Sequence, residues 1–172
     1  MDILETARLK LRTISSDDAE FYLELINDAS YIRNIGDKGI RTIDAAKESI
    51  QQGPMAMQAQ RGFSLYLVEL RTETRPIGIC GLIKRDGLEN VDIGYAFLPA
   101  FAGQGLAREA ASAVMRYANE TLGIQRLVAI TAPDNARSSH LLEKIGFRFE
   151  KIIRLMRNGK EEVSKFYTHD FD

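Results

Sequence analysis

The segment Phe97-Leu98-Pro99-Ala100-Phe101-Ala102-Gly103-Gln104-Gly105-Leu106-Ala107 brings two glycines to the start of a long helical pattern. Gly103, Gly105 and the small Ala107 let the backbone approach a ligand closely. The first turn of the helix behind them presents unpaired N–H groups at the positive end of its dipole. Such a turn suits a phosphate or pyrophosphate. A tight strand–helix turn without ligand needs the same glycines, so the spacing alone leaves both readings open. A dinucleotide fingerprint requires Gly or Ala three residues after Gly105, where Arg108 stands. The Gly-Lys-Ser/Thr of a nucleoside-triphosphate loop does not occur.

A second constellation is Asp134-Asn135-Ala136-Arg137-Ser138-Ser139-His140-Leu141-Leu142-Glu143-Lys144-Ile145-Gly146-Phe147. At helical spacing Asn135, Ser138, Leu142 and Ile145 share one face. Polar side chains at the inward start of an amphipathic helix need backbone or ligand partners. N-capping by Asp134 or Asn135 accounts for one of them and leaves Ser138 without an assignment. His140 falls off that face and is expected to be exposed. His140 and His169 are the only histidines and have no companion Cys/His spacing, so no metal site is expected. The single Cys80, in an apolar stretch, reads as a buried structural thiol.

Leu9, Leu11 and Thr13 alternate with Lys10, Arg12 and Ile14, predicting a half-buried first strand. Ser15-Ser16-Asp17-Asp18 supplies caps and first-turn acids for a helix carrying Ala19, Tyr22, Leu23 and Ile26 on one face. Residues 34–41 read as a loop. A second helical region starts near Ile43, with Gly53-Pro54 as a break and Met55 and Met57 as flexible apolar filler. Residues 63–70, 77–84 and 91–98 read as an antiparallel meander. Residues 104–122 form the strongest helix pattern, stopped by Gly123; Leu106, Ala110, Ala113, Val114 and Tyr117 share its apolar face. Residues 126–131 are apolar at both parities, as a strand covered on both faces should be. Residues 135–145 form another helix, and the last thirty residues a hairpin around Asn158-Gly159. No linker or repeat interrupts the chain, so residues 1–172 read as one α/β domain.

With 172 residues, 45% apolar and 27% charged, the chain can bury a core without disulfide or metal. Its 23 basic and 24 acidic side chains leave a net charge of −1, which removes any global electrostatic case for nucleic acid or an anionic membrane. The first twelve residues alternate charge with apolar side chains, unlike a signal peptide, and no run is long and apolar enough to span a membrane. A cytoplasmic protein, monomeric or homodimeric, is the expectation.

Gly103-x-Gly105-x-Ala107 resembles the acyl-coenzyme-A loop of the GNAT superfamily of N-acetyltransferases. Asn135-x-x-Ser138 with Leu142-Glu143-Lys144-Ile145-Gly146-Phe147 resembles that superfamily's later signature. Glu5-Thr6-Ala7-Arg8-Leu9-x-Leu11-Arg12, Asp92-Ile93-Gly94-Tyr95 and Arg108-Glu109-Ala110 are similar to its RimJ/RimL-type branch. The resemblance covers residues 5–170. It implies a mixed, mostly antiparallel sheet of about seven strands flanked by helices, with a β-α-β core for coenzyme A. It also implies acetyl transfer from acetyl-coenzyme A to a primary amine, the branch favouring N-terminal α-amines of proteins, ribosomal ones included. A small-molecule amine (polyamine, amino acid or aminoglycoside) and a non-catalytic acyl-coenzyme-A sensor are the alternatives.

Carried residue by residue, the resemblance places the cofactor on Phe97, Leu98, Ala102, Gly103, Gln104, Gly105, Leu106, Ala107, Asn135 and Ser138. No metal is implied. Two departures stand out. Ala102 replaces the Trp, Arg or Gln usual at the start of the loop, which leaves the pyrophosphate to backbone amides. Leu142 replaces a frequent tyrosine acid and has no proton to give. Asp92, where the branch often carries a glutamate, then becomes the candidate base, acting through water, on a strand face shared with Gly94, Ala96 and Leu98. A solvated strand-end aspartate is the plainer alternative. Ser138 becomes the candidate donor to the departing thiolate, Asn135 an orienting group, amides near Phe97 and Leu98 an oxyanion site, and Tyr167 a reserve acid. Loops 35–41 and 53–62 should shape the acceptor pocket, between the first helical region and the C-terminal hairpin.

Overall fold

A computed structural model describes residues 1–157 and 159–172. The chain starts with β1 (Asp2–Glu5) and β2 (Leu9–Thr13), an antiparallel pair. Leu9 and Leu11 point into the core while Lys10 and Arg12 stay partly exposed, as the alternation predicts. A capping box follows, in which the Ser15 N–H donates to Asp18 Oδ2 at 2.8 Å and opens α1 (Ala19–Ile26). Asp28 caps a short α2 (Ala29–Asn34), an element the sequence pattern does not reveal because its six residues are too few to show a period.

α3 (Ile43–Ile50) runs through a wide π turn at Gln51–Met55 into α4 (Ala56–Arg61). The expected break at Gly53-Pro54 therefore does not occur. Proline lacks an N–H and crowds the preceding turn, and the wider π turn takes it up without ending the helix. Gly62, at φ 77°, ends α4 in the left-handed region.

β3 (Leu65–Leu70), β4 (Arg75–Ile83) and β5 (Val91–Phe97) form the predicted meander. α5 (Leu106–Glu120) carries the chain to β6 (Arg126–Thr131), and α6 (Ala136–Lys144) leads to β7 (Arg148–Arg157) and β8 (Lys160–Asp170). The expected turn between them includes Asn158, which lies outside the described residues. The sheet has eight strands in the order β1-β2-β3-β4-β5-β6-β8-β7, one more than the sequence reading, because Asp2–Glu5 pairs on β2. Among the described residues only β5 and β6 run parallel, which is what a β-α-β crossover through α5 requires.

Two apolar clusters cover the two faces of the sheet. One, beneath α5 and α6, includes Leu11, Tyr66, Cys80, Leu82, Val114, Leu142 and Tyr167. The other, beneath α1 to α3, includes Tyr22, Leu25, Ile26, Ile50, Leu67 and Ile79. Cys80 is fully buried and burial pushes its thiol pKa upward, in keeping with a structural role. Tyr167 is core, not a reserve acid facing the cavity.

β3 and β4 lie side by side, and Gly81 of β4 sits directly against the backbone of residues 64 and 65. A Cβ added at Gly81 would fall 2.2 Å from the Ser64 carbonyl oxygen and 2.7 Å from Leu65 Cα, both backbone atoms. Gly81→Ala should lower stability by about 1–3 kcal/mol. Urea denaturation checks this, and an unchanged midpoint would show that the strands can separate freely there.

Candidate active site

β5 and β6 are joined only at Val91↔Leu127 and Asp92↔Val128. From Ile93 and Ala129 onward they part, and a cavity of about 1350 Å³ runs through the gap. Leu98 N–H donates to Ile77 O at 2.9 Å, so the neighbouring Gly78↔Phe97 pair is of the non-hydrogen-bonded kind. Phe97 N–H therefore points away from β4, into the gap. Of the two amides considered for an oxyanion site, the Leu98 amide is spent on the sheet and the Phe97 amide is free to face the cavity.

The loop after β5 makes a 3-10 turn at Pro99–Phe101, in which Ala102 N–H donates to Pro99 O at 3.1 Å. Gly103 and Gly105 then take φ of 76° and 75°, which L side chains rarely adopt. Gly105 caps α5 without a side-chain acceptor, so the first amides of that 15-residue helix remain available. A Cβ at Gly103 would meet nothing within 4 Å, leaving that side of the loop open to a ligand. Phe97, Leu98, Ala102, Gly103, Gly105, Leu106, Ala107, Asn135 and Ser138 all line the cavity. Gln104 does not; its side chain donates to Ala100 O at 3.4 Å, and its carbonyl accepts from Arg8 Nη1 at 2.9 Å.

The loop is held from the far edge of the sheet. Glu109 Oε1 accepts from Thr6 Oγ1 (2.6 Å) and the Arg8 amide (2.9 Å), and Oε2 accepts from Arg8 Nε (2.7 Å). Burial pushes the Glu109 pKa up, but the bonds from Thr6 and Arg8 outweigh it and hold the carboxyl below its ordinary value. Two separate sequence motifs, Thr6-Ala7-Arg8 and Arg108-Glu109-Ala110, are the two halves of this clamp.

On the opposite wall, Asn135 caps α6, its Oδ1 accepting from Ser138 N–H at 3.2 Å. Ser138 Oγ lies 2.7 Å from the Tyr95 hydroxyl. Sequence reasoning missed Tyr95, although it is the one hydroxyl on the Ile93-Tyr95-Phe97 face. Burial raises its pKa, partly offset by the bond to Ser138. Leu142, in the place of the frequent tyrosine, is core. His140 is exposed, as expected.

Asp92 is not the solvated strand-end aspartate of the plainer reading. It is 1% exposed, with Oδ2 paired to Arg85 Nε at 2.5 Å and Oδ1 buried without a partner among the described residues. Burial pushes its pKa up to about 6, while the cations Arg85 and Arg157 pull the other way. Cluster membership confirms the face assignment: Ala96 and Leu98 pack on the α1–α3 side, Tyr95 and Phe97 on the α5–α6 side. Asp92 and the Tyr95–Ser138 pair thus approach the gap from opposite faces. Ile35, Gly36 and Lys38 from one predicted pocket loop, and Gly53, Pro54 and Met57 from the other, line the cavity beyond Asp92.

The acetyltransferase (GNAT) domain family matches residues 8–148, and the chain belongs to that family. It is similar to the uncharacterized N-acetyltransferase YoaA of Bacillus subtilis (strain 168), 31% identical over 169 residues that cover 96% of this chain and 95% of that protein. Its fold matches RimL, a ribosomal L7/L12 alpha-N-protein acetyltransferase solved with coenzyme A, at a TM-score of 0.83 and 20% identity over 100% and 99% of the two chains. It also matches a spermidine N-acetyltransferase SpeG chimera from Vibrio cholerae and hSSAT, at a TM-score of 0.78 and 20% identity over 95% and 96%. The chain is an acetyl-coenzyme-A-dependent acetyltransferase.

Glu109→Ala removes the acceptor of three hydrogen bonds, two of them involving Arg8. Stability should fall by about 1.5–3 kcal/mol, and coenzyme A should raise the melting temperature less than in the parent. A full-sized ligand shift in this variant would show that the loop holds its shape without the clamp.

Proposed function

We propose that this enzyme acetylates the N-terminal α-amine of a peptide or protein, with Asp92 as general base and Ser138 as donor to the departing thiolate. The observation that carries the reading is the placement of Asp92 and the Tyr95–Ser138 pair on opposite faces of β5, at the point where β5 and β6 part.

The residues present fit the cofactor. The left-handed glycines, the open side of Gly103 and the free amides at the start of α5 suit a pyrophosphate on residues 103–107, leaning on backbone because Ala102 has no donor side chain. Acetyl-coenzyme A bound there supplies an activated acetyl thioester. Asn135 and Ser138 border the path from the loop to the gap, and Phe97 N–H is the candidate donor to the acyl oxygen.

An α-amine arrives largely protonated at neutral pH and must lose a proton before attack. Asp92, being short and 1% exposed, takes it through a water. The amine nitrogen forms the new amide bond as the carbon–sulfur bond breaks. Ser138 Oγ–H stabilises the thiolate by a hydrogen bond, the Tyr95 hydroxyl 2.7 Å away orients it, and the second proton that the nitrogen loses on becoming an amide passes to the sulfur, giving the free thiol. The tyrosine thus comes from β5 where Leu142 cannot supply one from α6. The cavity is bordered by Tyr22, Tyr31 and Asn34 on one side and Leu155 and Met156 on the other, as an extended N-terminus entering between the first helices and the hairpin requires.

Coenzyme A at ~100 times its dissociation constant should stabilise the fold by about 2.7 kcal/mol. Gly105→Val, strained at φ 75°, should abolish that shift; no shift with the parent protein at millimolar ligand would sink the site. Because Asp92 acts as a base only when ionised, turnover should rise with pH through about 6. Asp92→Asn should remove that limb and lower turnover roughly 100-fold, with Ser138→Ala comparable in size and cofactor affinity little changed. Near-normal rates in both variants from about pH 6 to 9 would refute these roles, bulk deprotonation of the amine then sufficing. Activity on short peptides that disappears when the amine is blocked supports the acceptor; turnover of spermidine or an aminoglycoside with none on peptides overturns it.

A further inference from the structure

The cavity is charged unevenly. Arg108, in the first turn behind the glycine loop where the cofactor's phosphates are assigned, and Arg137 and Lys144 of α6 line it. A second group of cations, Lys38, Arg85 and Arg157, gathers near Asp92, and Arg33 and the carboxylate of Asp86 line the same cavity. Cofactor binding leaves this second group unused. It is also incompletely neutralised. Arg85 spends Nε on Asp92 and has no partner for its two terminal nitrogens among the described residues. Arg157 donates to Ile35 O at 3.0 Å and lies 3.4 Å from Glu162.

Lys38 has no acceptor among the described residues. It is exposed on its loop yet lines the cleft, and the protein around its ammonium, with Arg85 and Arg157, lowers its pKa. Arg157 is likewise pulled down, by its burial and by Arg85. Cations gathered in a cleft walled by protein focus a positive potential on what enters. A carboxylate there would gain charge-assisted hydrogen bonds from guanidinium and ammonium groups, whereas a polyamine would meet like charge.

We propose that Lys38, Arg85 and Arg157 form a carboxylate-binding subsite for the acceptor, selecting peptide N-termini whose second residue is acidic. This rests on the reading of the enzyme as an α-amine acetyltransferase. The position follows from contact: Arg85 touches Asp92, the assigned base, at 2.5 Å. A carboxylate on the free edge of Arg85 therefore belongs to the residue next to the reacting amine, consecutive Cα atoms being about 3.8 Å apart.

The test uses Ser-Asp-Ala, Ser-Ala-Ala and Ser-Lys-Ala, each amidated at its C-terminus, with free serine alongside. The parent enzyme should favour Ser-Asp-Ala over Ser-Ala-Ala by roughly tenfold in kcat/KM, mostly through KM, and disfavour Ser-Lys-Ala. Lys38→Gln should erase most of that preference, and Lys38→Glu should reverse the order of the Asp and Lys peptides. Lys38 makes no hydrogen bond that the fold needs, and an unchanged thermal shift with coenzyme A confirms that the variants are folded. Calorimetry with N-acetyl-Ser-Asp-Ala amide on the coenzyme-A-loaded enzyme reads the subsite without turnover.

Equal use or equal binding of the three peptides, or an order that Lys38→Glu leaves unchanged, overturns the proposal. Better turnover of free serine than of any peptide keeps the subsite but assigns it to an α-carboxylate, overturning the second-residue assignment. If no peptide is acetylated while the blocked acidic peptide binds in a Lys38-dependent way, the α-amine reading fails and the subsite stands.

Discussion

Two parallel strands that begin together and then separate govern the rest of this molecule. β5 and β6 share only two rungs, at Val91↔Leu127 and Asp92↔Val128. Had they continued in register, the amide of Phe97 would be spent in the ladder and no space would exist between Tyr95 and the start of α6. Buried backbone groups left without partners are costly, so strands separate inside a domain only where something else takes up those groups. Here the parting leaves a cavity lined by backbone on one side and by Ser138 and Asn135 on the other. The parallel orientation comes from α5, because a helix crossing over the sheet returns the chain in the same direction.

That gap is useful only if the loop feeding α5 is held at its mouth. Three bonds to Glu109 from Thr6 and Arg8, together with the bond from Arg8 to the Gln104 carbonyl, tie the loop to the link between β1 and β2. The glycines supply a backbone path open to other residues only under strain. Glu109 and Arg8 keep that path in place. The clamp is about half exposed on the Arg8 side, so its worth lies in geometry more than in Coulomb energy.

Asp92 shows how the two faces of the sheet divide the work. On the α1–α3 face it borders the cavity at only 1% exposure, and burial raises its pKa to about 6, a range in which a carboxylate can both accept and release a proton near neutrality. On the α5–α6 face Tyr95 meets Ser138, and the frequent tyrosine of α6 is replaced by a leucine that packs in the core. In the proposed reaction a carboxylate on one face and a hydroxyl pair on the other can act together only because the sheet is open between them.

Much of this was legible in the residues. Alternation placed Leu9 and Leu11 inside, the meander and both crossover helices fell where periodicity put them, and the two glycines before α5 marked a turn that the structure builds with positive φ at both. These features depend on neighbours within a few residues, which sequence patterns record directly. Asp2–Glu5 as an eighth strand, the unbroken passage through Pro54 and the short α2 were not legible, because a partner strand or a π turn decides each of them. The site divides the same way. Gly103, Gly105, Asn135 and Ser138 were visible as local motifs, but the burial of Asp92 by Arg85, the loss of the Leu98 amide to Ile77, the joining of Tyr95 to Ser138 and the gathering of Lys38, Arg85 and Arg157 involve residues from 7 to 119 positions apart. Spacing along the chain carries no signal for such pairs; only the folded sheet brings them within reach.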